Sequence, residues 1–140
     1  MTSREIFEKL EKIPDERLVE IPGGERTPKL LLDSQRGLIK ITGRSLPENS
    51  NIFYKPILAW IDKYINNPKD ETHVVFDLEY YNSSSSKMIL EVFKKLSNLN
   101  QHGKHVFVDW YYLEGDDDML DSGKTFEELT EINFDFICYV

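Results

Sequence analysis

Apolar residues in the first third of the chain have spacings that predict one helix followed by a β-hairpin. Residues 6–13 have apolar side chains at the spacing of one helix face, and Thr2-x-x-Glu5 ahead of them has the form of a capping box. Segments 29–33 and 38–43 are apolar or alternate between apolar and polar, with a turn between them. These two segments predict the two strands of the hairpin.

The remaining two thirds alternate between helical and strand patterns. We predict strands at 73–81, 105–112 and 134–140, separated by helices at crossover length. The nearly continuous apolar run at 105–112 is typical of a strand covered on both faces. The order of elements therefore predicts a single α/β domain with a mixed sheet of about five strands and helices packed on it.

The starts of two of these helices are predicted from local signals. Pro56 favours a regular helix that begins near Lys55, after an irregular turn from Asn49, because proline is costly inside a helix. The second signal is Thr125-x-x-Glu128, which predicts a capped helix start before Leu129.

Composition and charge narrow the function. The chain has 140 residues, enough for one domain, and a formal net charge of −8. This charge argues against nucleic acid or anionic membrane as a ligand and favours proteins with basic patches. Neither a signal peptide nor a long apolar span is recognisable, so we expect a cytoplasmic protein. The single cysteine, Cys138, lies in an apolar run and is expected to be buried.

A run of four serines, 83–86, follows Asn82 where a predicted strand ends and a predicted helix begins. One Asn or Ser is expected there as a helix cap, but a cap does not require four hydroxyl groups. A phosphate on the first serine would lie at free backbone N–H groups and the positive end of the helix dipole. It would also add about −1.5 to −2 charges to the surface, which makes this run a candidate phosphorylation switch.

The segment 80–93, together with Ile21-Pro-Gly, Thr27-Pro28, 47–50 and Trp60, resembles the SiaC family of biofilm-regulating phosphoproteins. The resemblance runs from about Ile21 to the C-terminus. It leaves residues 1–20 as an N-terminal helical extension and 21–140 as the SiaC-like domain.

The resemblance implies a fold like the STAS domain of anti-sigma-factor antagonists and a regulator without catalytic activity. It implies phosphorylation of Ser83, with Ser84 as the second choice, by a partner-switching Ser/Thr kinase. A PP2C-type phosphatase would remove the phosphate, and the unphosphorylated form would bind and activate a diguanylate cyclase in c-di-GMP signalling. Asn82, Ser84 and Ser85 are then expected to position the phosphate.

The segment 45–50 is a second candidate feature. Plain helix initiation explains it, with Asn49 or Ser50 as the cap, although it is also part of the family resemblance. We expect it at the same end of the sheet as Ser83. The residues predicted to contact partners near this end are Pro47, Glu48, Asn49, Tyr81 and Lys87.

Other function classes have weaker support. An acidic α/β domain with a hydroxyl-rich loop after a strand also fits a flavodoxin-like protein that holds a flavin phosphate. Asp116, Asp117 and Asp118 suggest a metal-assisted phosphohydrolase, but a helix start explains these acids better. Segment 122–125 has only the end of a P-loop motif, and we expect a helix junction there. The sequence therefore predicts neither a metal, a cofactor nor a catalytic group.

Overall fold

The computed structural model describes residues 3–140, and their elements form one mixed sheet with helices. The predicted capping box includes Thr2, which lies outside the described residues. The elements, in chain order, are α1 (Ser3–Lys12), a short 3-10 turn (Ile13–Asp15), β1 (Leu18–Ile21), β2 (Lys29–Asp33), β3 (Leu38–Ser45), α2 (Ser50–Tyr64), β4 (Glu71–Tyr81), α3 (Ser83–Gln101), β5 (His105–Leu113), α4 (Asp117–Thr130) and β6 (Phe134–Tyr139).

The sheet has six strands in the order β1-β2-β3-β4-β5-β6. The first three strands are antiparallel neighbours, and β3 to β6 are parallel neighbours. The mixed sheet and the hairpin of β2 and β3 are confirmed, but the predicted number of five strands is one too low. Sequence analysis missed β1, whose four residues alternate between exposed and buried just before Pro22.

This strand order does not fit the flavodoxin alternative. Flavodoxin-like sheets follow the order 2-1-3-4-5. Here the strands lie side by side in sequence order, and the first two are antiparallel to their neighbours. We therefore reject the flavodoxin-like interpretation on topology.

The core lies on one face of the sheet, beneath the helices. One row across this face joins Leu30, Ile41, Phe76 and Trp110, all buried. On the opposite face of β5, Phe107 is 41% exposed, whereas Asp109 and Tyr111 are half-buried. The prediction that both faces of this strand are covered is therefore wrong. Apolar residues on its open face give the sequence the same pattern as a strand buried on both faces.

The regular helix start predicted near Lys55 and the one predicted at Thr125 are both wrong, whereas the expected cap at Asn49 or Ser50 is confirmed at Asn49. Helix α2 begins at Ser50 with Asn49 as its N-cap, and Pro56 lies inside it. Thr125 does not cap a helix, because it lies within α4 and donates its hydroxyl to the Asp121 carbonyl at 3.0 Å. Segment 122–125 is accordingly helix interior rather than a helix junction.

Helix α4 is held against the sheet through Gly123. A Cβ atom at this position would lie 2.6 Å from the indole ring of Trp110, so only glycine permits the observed approach. The Trp110 indole N–H also donates to the Met119 carbonyl of α4 at 2.9 Å. In β6, Cys138 is exposed, so the prediction that it is buried is wrong.

Candidate functional site

The serine run lies at the junction between β4 and α3, with Asn82 as the N-cap of the helix. The Asn82 side-chain oxygen accepts the backbone N–H of Ser85 at 2.9 Å, and its carbonyl accepts that of Ser86 at 3.0 Å. The Asn82 N–H donates to the Ser45 carbonyl at 3.0 Å, which ties this junction to the end of β3. Asparagine is a favoured N-cap because its oxygen replaces a missing helical acceptor.

The first three serines differ in what their hydroxyl groups contact. Ser83 is the first residue of α3 and is exposed. Ser84 is also exposed, but its hydroxyl donates to the Asn82 side chain at 3.2 Å and lies 2.7 Å from the Ser50 hydroxyl. Ser85 is buried, and its hydroxyl donates to the Ser45 carbonyl at 3.0 Å.

A buried network of hydroxyl groups lies beneath the junction. The Ser45 hydroxyl donates to that of Ser85 at 3.0 Å and shares a 2.6 Å hydrogen bond with the Tyr54 hydroxyl. Burial raises the pKa of Tyr54 to about 12, and its hydrogen bonds to Ser45 and Ser85 offset this only in part. We call Ser45, Ser50, Ser83, Ser84 and Ser85 the serine corner.

The serine corner brings together the C-terminal end of β3 and the first turns of α2 and α3. Ser45 ends β3, Ser50 begins α2, and both contact serines of the α3 start. The prediction that segment 45–50 lies at the same end of the sheet as Ser83 is therefore confirmed. Because two helices start here, the positive ends of two helix dipoles point toward the same corner.

Comparison with known proteins decides the family. The sequence model of the SiaC family regulatory phosphoproteins matches residues 21–139. The chain belongs to the SiaC family. A Pseudomonas aeruginosa protein of strain UCBPP-PA14, described as uncharacterized, is 27% identical over 108 residues, which cover 77% of this chain and 86% of that protein.

Solved SiaC structures have the same fold. Apo-SiaC from Pseudomonas aeruginosa is 25% identical and superposes with a TM-score of 0.76 over 89% of this chain and 100% of that one. The complex of the diguanylate cyclase SiaD with its activator SiaC, from the same organism, gives a TM-score of 0.80 at 25% identity over 86% of this chain and 99% of that one. The predicted family and fold class are therefore confirmed.

The residues predicted to contact partners differ in exposure. Glu48, Asn49 and Lys87 are exposed, whereas Pro47 is buried and its ring is not available to a partner in this conformation. Tyr81 is half-buried, because its ring packs edge-on against Trp110 at a centroid distance of 6.3 Å. Burial raises the pKa of the Tyr81 hydroxyl.

Sequence analysis selected the segment 45–50, which contains Ser45 and Ser50, but did not select Tyr54 or predict the hydrogen bonds of these three residues. Tyr54 occupies a core-facing position of α2, where an aromatic residue is expected for packing alone. The exposed apolar side chains beside the corner were missed as well: Ile52 is 54% exposed and Tyr80 is 49% exposed. Their positions in the sequence, close to the two predicted helix starts, could have indicated that both lie near the site.

The acidic run 116–118 has a structural role. Asp116 caps α4 by accepting the Met119 N–H at 3.1 Å, and Asp117 and Asp118 occupy the first turn. Within residues 3–140, no group of three or more His, Cys, Asp or Glu side chains is placed to hold a metal ion. In the same range, no helix has the length and apolar character needed to cross a membrane.

Proposed function

We propose that this SiaC-family protein is a non-enzymatic phospho-switch that binds and activates a diguanylate cyclase when Ser83 is unphosphorylated. A Ser/Thr kinase would add the phosphate and a PP2C-type phosphatase would remove it, in the cytoplasm. The chain itself acts by binding, and the output is c-di-GMP made by its partner.

The observation that carries this proposal is the different environment of the serine hydroxyl groups. Ser83 is exposed at the first position of α3, and no hydrogen bond of its side chain is present among residues 3–140. The Ser84 hydroxyl is shared between Asn82 and Ser50, and that of Ser85 is buried. A kinase needs an accessible hydroxyl, which supports Ser83 as the acceptor over its two neighbours.

The helix start favours a phosphate at this position. The first N–H groups of a helix have no acceptor within the helix, so those of Ser83 and Ser84 are oriented toward an anion placed there. Lys87 is exposed four residues after Ser83, on the same side of α3, and its charge favours a phosphate further. Asn82 contributes by holding the first turn in its helical form rather than by touching the phosphate.

The surface around Ser83 suits a protein partner. Exposed Tyr80 and Ile52 supply apolar contacts, and exposed Glu48 and Asn49 lie on the loop before α2. A dianion introduced into such a contact is penalised by several kcal/mol when the partner offers no charge to match it. Pseudomonas aeruginosa SiaC forms a complex with the diguanylate cyclase that it activates, which supports a cyclase as the partner.

The proposal is tested by phosphopeptide mapping of protein from its native cell and by partner capture with two variants. We expect phosphate on Ser83, retention of a cyclase by Ser83→Ala, and cyclase binding about tenfold or more weaker for Ser83→Asp. Captured complexes are assayed for c-di-GMP synthesis, which should follow the amount of bound chain.

Ser97→Ala and Ser97→Asp are the matched controls, because Ser97 lies on the same helix and its hydroxyl bonds only to the Lys94 carbonyl. They should leave partner capture unchanged. Equal capture by Ser83→Ala and Ser83→Asp, or phosphate found only at other residues, would contradict the proposed switch.

A further inference from the structure

A polar cleft of about 470 Å³ lies at the end of the sheet opposite the serine corner. Its walls come from the segment 14–17, the turn between β2 and β3, the last turns of α2 and the residues before β4. The serine corner lies at the C-terminal ends of β3 and β4, whereas this cleft lies near their N-terminal ends. The two sites are therefore separated by the length of the sheet.

Basic side chains predominate in the cleft, although the chain as a whole has a net charge of −8. Arg17, Lys63 and Lys69 face Asp15 and Glu16. Lys63 forms an ion pair with Asp15, which leaves Arg17 and Lys69 against the single carboxylate of Glu16. Within residues 3–140, neither Arg17 nor Lys69 forms a salt bridge. The pKa of the neighbouring Asp70 is lowered mainly by its hydrogen bond with Lys104, and the charge of Lys69 adds to this.

Hydrogen bonds hold the segment 14–17 in place. The Trp60 indole N–H donates to the Glu16 carbonyl at 2.9 Å, and the Ser34 N–H donates to the Arg17 carbonyl at 3.0 Å. Arg17 is therefore attached to a backbone that is fixed to both α2 and the β2–β3 turn. A preformed backbone lowers the cost of ordering a binding site.

The lining is suited to a hydrophilic ligand. Gln35 and Asn67 add amide groups, while the Trp60 and Tyr64 rings are stacked on each other and only 2% and 4% exposed. Neither ring therefore presents an open face on which a flat aromatic ligand could stack. Its volume lies within the range of about 300–1,000 Å³ that small-molecule sites occupy.

We propose that this cleft binds a small hydrophilic anion that carries phosphate or carboxylate groups, with Arg17 and Lys69 as its main ligands. Arginine and lysine both bind such groups through charge-assisted hydrogen bonds, and the two side chains approach from different walls. Part of the site lies in residues 14–17, ahead of residues 21–139, which the SiaC family model matches. The proposed site lies at the opposite end of the sheet from the serine corner and goes beyond the proposed switch.

NMR of the full chain tests the proposal, because its two tryptophans give two indole N–H signals. Trp60 lines the cleft, whereas the Trp110 indole donates to Met119 in the core and serves as the internal reference. Pyrophosphate and citrate are titrated separately at constant ionic strength. We expect a saturable shift of the Trp60 signal with at least one of them and an unchanged Trp110 signal.

The double variant Arg17→Gln/Lys69→Gln should weaken this binding about tenfold or more. Arg26→Gln/Lys55→Gln removes the same charge from exposed positions outside the cleft and should bind as the wild type does. Tighter binding of pyrophosphate indicates a phosphate ligand, and tighter binding of citrate indicates a carboxylate ligand. The proposal is overturned by a shift that sodium chloride reproduces, by unchanged binding in the Arg17/Lys69 variant, or by no saturable shift.

Discussion

Two successive junctions between a strand and a helix share the same capping hydrogen bond but differ in charge: the start of α3 is neutral and the start of α4 is acidic. At the start of α3, the Asn82 side chain accepts the N–H of Ser85 at 2.9 Å; at the start of α4, Asp116 accepts that of Met119 at 3.1 Å. The first turn of α3 contains only serines and Lys87 follows it, whereas Asp117 and Asp118 fill the first turn of α4.

This difference in charge decides at which helix start an added negative charge would be stabilising. Acidic residues already stabilise the positive end of the α4 dipole, so another anion there would meet like charges. The start of α3 has no acidic residue in its first turn, and a phosphate can stabilise it. A removable negative charge should therefore stabilise the start of α3, where the first turn is neutral, more than the start of α4.

The largest expected effect on stability comes from the packing of α4 on the sheet through Gly123, a contact of a kind that α3 does not make. Gly123→Ala should destabilise the protein by about 1–3 kcal/mol, because the new methyl group would overlap the Trp110 ring. Chemical denaturation measures the loss, and hydrogen exchange should increase at the α4 start more than at the α3 start.

Lys124→Ala is the control, because this neighbouring side chain is exposed. A gain of about 1 kcal/mol for Gly123→Ala, the value expected from helix propensity alone, would show that Trp110 moves aside easily.

A smaller effect is expected from the hydroxyl network under α3. Tyr54→Phe removes a buried hydrogen bond to Ser45 and should cost about 1 kcal/mol at pH 7. The pKa of Tyr54 is raised from 10.0 to about 12 in the folded state, so the unfolded state ionises first as the pH rises. The stability that this hydroxyl contributes is therefore complete below pH 10 and falls by about 1 kcal/mol near pH 11.

Denaturation of wild type and Tyr54→Phe between pH 7 and 11 measures this difference directly. The variant should lose less stability than the wild type above pH 10. Parallel curves for the two proteins over the whole range would show that Tyr54 does not titrate differently in the folded state.

The smallest effect comes from exchanging the two caps. Asn82→Asp should stabilise the unphosphorylated protein by about 0.3–1 kcal/mol, because it places the first acid at the α3 dipole. Asp116→Asn should cost less than this, since Asp117 and Asp118 remain in the first turn of α4. Thermal denaturation at low and high salt measures both variants.

Salt should reduce the gain from Asn82→Asp, because the interaction is electrostatic and close to solvent. Equal and opposite effects of the two substitutions at both salt concentrations would contradict the proposed difference between the junctions.

Local sequence signals predicted the family, the mixed α/β sheet, the hairpin and the location of the serine run at a strand-to-helix junction. They failed where two local signals competed or where an element was short. Pro56 was expected near the start of α2 but lies inside it, because Asn49 caps the helix six residues before Lys55. Similarly, β1 was missed because only four residues contribute to it.

The sequence by itself determined which elements form, because apolar spacing, caps and turn residues act over a few neighbouring positions. Only the tertiary structure decided which serines remain accessible. Ser83, Ser84 and Ser85 are equivalent by type and neighbourhood, yet contacts with Ser45 and Ser50 engage the hydroxyl groups of the last two, whereas no side-chain hydrogen bond of Ser83 is present among residues 3–140. Those contacts join residues 34 to 40 positions apart, a separation that no local pattern encodes.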